Sequence, residues 1–214
     1  MKSLIEGIEF FQHKVFPEYE PIFRRLAKGQ SPEVLLITCS DSRIAPNLVM
    51  QTQPGELFQI RNAGNVVPAW GAGGGETATI EYAIRVLGIR NILVCGHTDC
   101  GAMKALLDPS SLTALPAVKD WIESLTEARR VLDDGNGPPG DPLDAIIEEN
   151  VLVQIQNLKT HPAVAETLAN RELNIQGAVY EIESGDFKIY CPKRRVFAPL
   201  AEVDVDELRP DPVS

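Results

Sequence analysis

Two short apolar runs constrain this chain more than anything else in it. Val34-Leu35-Leu36-Ile37 leads into Cys39-Ser40-Asp41-Ser42-Arg43, and Ile92-Leu93-Val94-Cys95 leads into His97-Thr98-Asp99-Cys100-Gly101. Unbroken apolar runs of this length read as buried strands of a parallel sheet. Open α/β sheets bind their ligands beyond the carboxyl ends of such strands. Two of them side by side would bring Cys39, His97 and Cys100 together there. Two thiolates and one imidazole suit Zn²⁺, and three protein ligands with a fourth position open to solvent is the arrangement of a catalytic zinc site. Cys95, two residues before His97, and Cys191, in a separate strand candidate, are poorly placed as a fourth ligand. A cysteine taken singly is as often a small buried hydrophobe. The combination with His97, Asp41 and Arg43 at strand ends favours the metal.

Cys39-x-Asp41-x-Arg43 followed by His97-x-x-Cys100-Gly101 resembles the β-class carbonic anhydrases. The likeness extends through Pro54–Phe58, Arg61–Asn65 and Ile80–Ala83 and covers most of residues 30 to 107. It implies an α/β fold with a central, mostly parallel β-sheet flanked by helices. It also implies reversible hydration of carbon dioxide to bicarbonate and a proton by zinc-bound hydroxide. Arg43 would hold Asp41, which either accepts a hydrogen bond from the zinc-bound water or swings onto the metal as a fourth ligand in a closed state. Gln30 would hydrogen-bond bicarbonate, Phe58 would line the pocket, and Tyr82 would enter it across a dimer. The resemblance further implies a homodimer or dimer-based tetramer in which an N-terminal arm wraps a neighbouring subunit.

One subclass pairs an arginine equivalent to Arg61 with a tryptophan three residues before the first zinc cysteine, forming an inhibitory bicarbonate site. Leu36 stands at that position here, so the open, water-bound state is expected to dominate near neutral pH. Two thiolates cancel the charge of the metal and weaken its pull on water, so hydration should rise with pH from neutral into the mildly alkaline range.

The remaining segments read as scaffold. Residues 3 to 16 carry Leu4, Ile5, Ile8, Phe11 and Val15 at helical spacing, with an expected end near Pro17; a second helix covers 18 to 28 and stops at Gly29. Ser42-Arg43-Ile44-Ala45-Pro46 is expected to open a helix whose proline falls in the first turn, where it is tolerated. A strand is expected over Leu57–Ile60, with Arg61 to Gly64 as loop, and a helix from 76 to 87. Asp99 is placed to cap a helix over Cys100–Leu107, whose first free N–H, that of Gly101, suits an anion. Ala117–Leu132 reads as one helix, and Asp133–Asp141 as an exposed loop. Asp141-Pro142 starts a long helix with Leu143, Ile146, Ile147, Val151, Ile155 and Leu158 on its buried side. Residues 178–182 and 187–190 read as a hairpin.

With 214 residues and 44% hydrophobic content, residues 1–198 form one domain, of which 1–29 is a helical arm and 199–214 an acidic tail. A formal charge of −10 argues against nucleic acid as a partner. No run reaches the length of a membrane span, and the N-terminus lacks a secretory pattern, so the expected location is cytoplasmic, with recruitment to a CO₂-fixing compartment left open. Gly71–Gly75 is not a nucleotide cradle, since no Lys-Ser/Thr follows and Glu76 replaces the third glycine. That disfavours a nicotinamide-dependent dehydrogenase. Hydrolysis of CS₂ or COS at the same zinc, and a non-catalytic zinc protein for assembly or redox sensing, stay open as alternatives.

Overall fold

The computed structural model describes residues 1–123, 125–133, 140–204 and 208. Its sheet has six strands in the order β2-β1-β3-β4-β5-β6. They are β1 (Val34–Cys39), β2 (Leu57–Asn62), β3 (Asn91–His97), β4 (Asn174–Tyr180), β5 (Phe187–Cys191) and β6 (Val196–Pro199). The first four are parallel, and β5 and β6 add an antiparallel edge. Leu35, Leu36 and Ile37 are wholly buried, as an unbroken apolar run in a parallel strand requires. From β1 the chain goes outward to β2 and then crosses to β3 on the other side. The strand order therefore reverses at β1, and the carboxyl ends at such a reversal are where open α/β sheets bind ligands. Thr38 Oγ1 donates to Cys95 O at 2.9 Å and ties the ends of β1 and β3 together.

The helices are α1 (Lys2–Phe10), α2 (Phe16–Leu26), α3 (Pro46–Val49), α4 (Gly75–Arg85), α5 (Gly101–Leu107), α6 (Pro116–Glu123), α7 (Thr126–Asp133), α8 (Pro142–Thr160) and α9 (Pro162–Ala169). Asp141 caps α8 through its side chain, which accepts from Leu143 N at 2.8 Å. This helix packs on β3 and β4, and two glycines let it come close. A Cβ at Gly96 would lie 3.0 Å from Val151 Cγ2, and one at Gly177 would lie 2.9 Å from Val151 Cγ1.

Four expectations are corrected. The first helix does not stop near Pro17, because α1 continues through a π-helical segment, Phe11–Val15, directly into α2. Pro17 has no N–H for the carbonyl four residues back, and widening the preceding turn accommodates that loss. Phe11, Phe16 and Phe23 pack across the segment with ring centroids 5.6 to 6.3 Å apart. Strand β2 runs on through Arg61 and Asn62, which pair in register with Thr38 and Cys39. The helix expected over 117–132 is two, α6 and α7, separated by a turn at the fully buried Leu125, where Thr126 Oγ1 bonds Glu123 O. The last correction concerns Asp99 and belongs to the site.

The hairpin is β4 with β5, and β6 extends it beyond what the sequence suggested. Most of the expected exposed loop (134–139) and of the acidic tail (205–207 and 209–214) lies outside the described residues. Among the described residues no helix is long and apolar enough to cross a membrane.

Candidate metal centre

Cys39 closes β1, His97 closes β3, and Cys100 is the residue from which α5 starts. Their ligand atoms all lie within 4.8 Å of one another, and all three residues are buried. His97 is fully buried, and its Nδ1 sits 2.8 Å from Thr98 O. A carbonyl only accepts, so Nδ1 carries the proton and Nε2 presents its lone pair. That Nε2 is buried with no hydrogen-bond partner. An unpaired buried nitrogen costs about 1–3 kcal/mol unless something else takes its lone pair. Two sulfurs and this nitrogen form the donor set of a thiophilic divalent cation, so the residues present fit such a metal.

The thiols are already polarised for that role. Cys39 is pulled well below the usual thiol range, chiefly because the Cys100 thiol donates to it, with the backbone of Gly64 and Asp41 assisting against burial. Cys100 is pushed up, because ionising it beside the Cys39 sulfur and inside the core would bury a second like charge. Gly64 N donates to Cys39 Sγ at 3.4 Å. Cys95 stands apart, its thiol buried and pushed up to about 12 by desolvation. Cys191 is fully buried beside Arg194, whose Nη2 lies 3.3 Å from its sulfur. All four cysteines are free.

Asp41 and Arg43 stand beside the cluster. Arg43 Nε donates to Asp41 Oδ1 at 2.9 Å and Nη2 to Oδ2 at 2.8 Å, and the Arg43 amide adds a third bond at 2.9 Å. These bonds hold the Asp41 carboxyl well below the usual carboxylate range. Asp41 Oδ2 lies 3.8 Å from His97 Nε2. The carboxylate is therefore ionised, clamped, and beside the cluster.

Asp99 does not cap α5. Its φ is +60°, and the cap position falls to Cys100 without a side-chain bond. The Asp99 carboxylate instead receives Arg43 Nη1 at 2.8 Å and pairs with Lys104. Arg43 is thus shared between two carboxylates. Arg61, reached only because β2 runs two residues further, donates to Cys39 O at 3.0 and 2.9 Å and to Asp41 O at 2.9 Å. It fixes the backbone on which the first sulfur and the dyad sit. The sequence motif containing Arg61 was visible, but its target carbonyls become apparent only from the strand register.

The remaining candidates divide. Gly101 opens α5 next to Cys100, and a Cβ built on it meets nothing within 4 Å, so its surroundings can admit a small ligand. Gln30 is exposed in the loop before β1, whereas Cys39 is at the far end of that strand. Phe58 pairs with Leu35, four residues before Cys39, or roughly 13 Å along the strand. Its ring meets that of Tyr82 at a centroid distance of 6.1 Å, and Tyr82 is 44% exposed. These two rings make a patch of their own, away from the cluster of the same chain.

The profile of the carbonic anhydrase family matches residues 34–187. A carbonic anhydrase of Synechococcus elongatus (strain PCC 7942) is 50% identical over 190 residues, spanning 87% of this chain and 70% of that protein. One from Pseudomonas aeruginosa is 45% identical over 205 residues, spanning 94% and 93%. The solved structure of the β-carbonic anhydrase CcaA aligns with a TM-score of 0.89 at 43% identity, over 93% of this chain and 98% of that one. This chain belongs to the β-class carbonic anhydrases. Tetrameric β-carbonic anhydrases of Sordaria macrospora align with a TM-score of 0.70 at 29% identity, over 88% of this chain and 92% of theirs. In this carbonic anhydrase the matched stretch begins at the first residue of β1 and ends at the first of β5. It contains the cysteine and histidine cluster, the Asp41–Arg43 dyad and Arg61.

Proposed function

We propose that this carbonic anhydrase interconverts carbon dioxide and bicarbonate with a zinc ion held by Cys39, His97 and Cys100. The observation that carries the reading is the buried, unpartnered Nε2 of His97 within 4.8 Å of two sulfurs. Zinc in such a setting supplies a Lewis acid that makes water a competent nucleophile near neutral pH. The chain supplies the rest. Asp41, kept ionised by Arg43, accepts a hydrogen bond from the attacking water and turns its reactive lone pair toward the carbon of CO₂. It orients that water and cannot acidify it, being itself negative. Arg43 offsets the charge of Asp41 and, with Asp99 on its outer side, keeps the carboxylate in one place. Gly101 N–H is the donor proposed for the product anion.

Gln30, Phe58 and Tyr82 serve as pocket residues for the site of a second copy, which is supported by their distance from the cluster of their own chain and by the exposure of Tyr82. A homodimer or dimer-based tetramer would also cover Leu4, Ile5 and Ile8, which are 61%, 54% and 51% exposed along α1. A cytoplasmic location accords with four free cysteines, two of them assigned to the metal.

The test is proton release on mixing with dissolved CO₂, followed by a stopped-flow indicator. Activity should vanish on chelation and return with zinc. Protein that is inactive with one zinc bound per chain would contradict the reading.

A further inference from the structure

Helix α8 carries two buried amides inside an otherwise apolar face. Asn150 is 1% exposed and Gln154 is fully buried. The amide bonds of both go to the loop whose Gly64 meets Cys39. Asn150 Nδ2 donates to Gly64 O at 3.0 Å. Gln154 Nε2 donates to Asn150 Oδ1 at 2.8 Å, which fixes which end of the Asn150 amide faces the loop. Gln154 Oε1 in turn receives Val67 N at 2.8 Å, so the loop is gripped on both sides of Asn65. Directly before the first grip Gly64, at φ +86°, presents its N–H to Cys39 Sγ at 3.4 Å. The helix behind the ladder is itself seated closely, since Val151, next to Asn150, packs on Gly96 and Gly177.

We propose that Asn150, oriented by Gln154, is a positioning residue of the metal centre: by holding the peptide that follows Gly64 it fixes this glycine so that its own N–H, on the preceding peptide, stays on the Cys39 sulfur. The inference rests on the assignment of Cys39 as a ligand. An N–H donated to a thiolate draws charge from the sulfur, so the sulfur gives less to the metal and the metal keeps more of its Lewis acidity. Two thiolates on one divalent ion would otherwise cancel its charge. The ladder offsets that cancellation on one of the two sulfurs. It acts through the direction of a backbone dipole, and no group in it needs to change protonation.

The experiment compares the cobalt-substituted wild type with Asn150→Leu and Gln154→Met. Both replacements keep much of the side-chain volume and remove the amide. Each protein is first checked for one cobalt per chain and native far-ultraviolet circular dichroism. In the wild type a sulfur-to-cobalt charge-transfer band is expected in the near ultraviolet. In Asn150→Leu the band should move to lower energy, because a sulfur that has lost the N–H gives more charge to the metal. Gln154→Met should give a smaller shift in the same direction, and it carries the test if Asn150→Leu fails to fold. A folded, fully loaded variant whose band matches the wild type overturns the proposal. A wild-type cobalt protein with no such band would instead overturn the ligand assignment, and the proposal with it.

Discussion

The guanidinium of Arg43 engages both carboxylate oxygens of Asp41, with Nε at 2.9 Å from Oδ1 and Nη2 at 2.8 Å from Oδ2. A forked pair of this kind fixes direction as well as charge. It leaves Asp41 ionised and, at 3.8 Å from His97 Nε2, facing the metal cluster.

Replacing Asp41 with Asn keeps the shape and removes the charge. One zinc per chain should remain bound, and kcat for CO₂ hydration should fall by about 10²-fold, the lower range for losing one preorganised hydrogen-bond partner at the reacting centre. Metal analysis and stopped flow on one sample check this. The wild-type carboxyl is held below the ordinary carboxylate range, so the dyad contributes stability above that range and loses it only in strong acid.

The cysteines should separate cleanly. Cys39→Ser removes a ligand and should abolish stoichiometric metal binding. Cys95→Ser lies in the adjacent strand, where the thiol is buried and neutral, and should keep one metal per chain at a cost of about 1 kcal/mol in stability. Plasma emission spectrometry and urea melts of the two variants read both effects. Metal retained by Cys39→Ser would count against the ligand set.

Gly177 has an ordinary backbone conformation, so its need for glycine is one of packing alone. A Cβ there would meet Val151 Cγ1 at 2.9 Å and Ile155 Cδ1 at 3.1 Å. Gly177→Ala should therefore destabilise by about 1–3 kcal/mol. The urea midpoint should fall while the slope of the transition stays the same.

Glu149 gives a pH dependence of the opposite sign to Asp41. Half-buried on α8, its carboxyl is pushed up by desolvation first and by Glu127 second. A carboxyl raised by folding favours the native state in acid, and that contribution is lost as pH rises through its folded pKa. Above that range the charged form is a liability. Glu149→Gln should thus stabilise the protein at pH 8 by about 0.5 kcal/mol, a figure kept low for solvent screening, and should change little in acid. Thermal melts at the two pH values decide it.

What the sequence disclosed was whatever local pattern encodes. Cys39 and His97 each end an unbroken apolar run, and Asp41 lies two residues from Arg43, so the cluster and dyad were legible. Asp99 was not, because an aspartate ahead of a helix looks the same whether it caps that helix or pairs with Arg43, 56 residues away. Arg61 reads as loop in the sequence, since only the pairing with Thr38 reveals that β2 continues. Asn150 and Gln154 sat in plain view within an apolar stripe, but nothing local says which carbonyl a buried amide will meet. Pro17 looked like a stop because the π-helical turn that accommodates it depends on three phenylalanines meeting in space.

The most direct check on the whole account is the pH profile of CO₂ hydration by protein carrying one zinc per chain. With Asp41 ionised throughout, kcat/KM should climb from neutral into mildly alkaline pH and then level off. A fully loaded enzyme whose rate is flat from acid to alkaline pH, or absent at every pH, would contradict it.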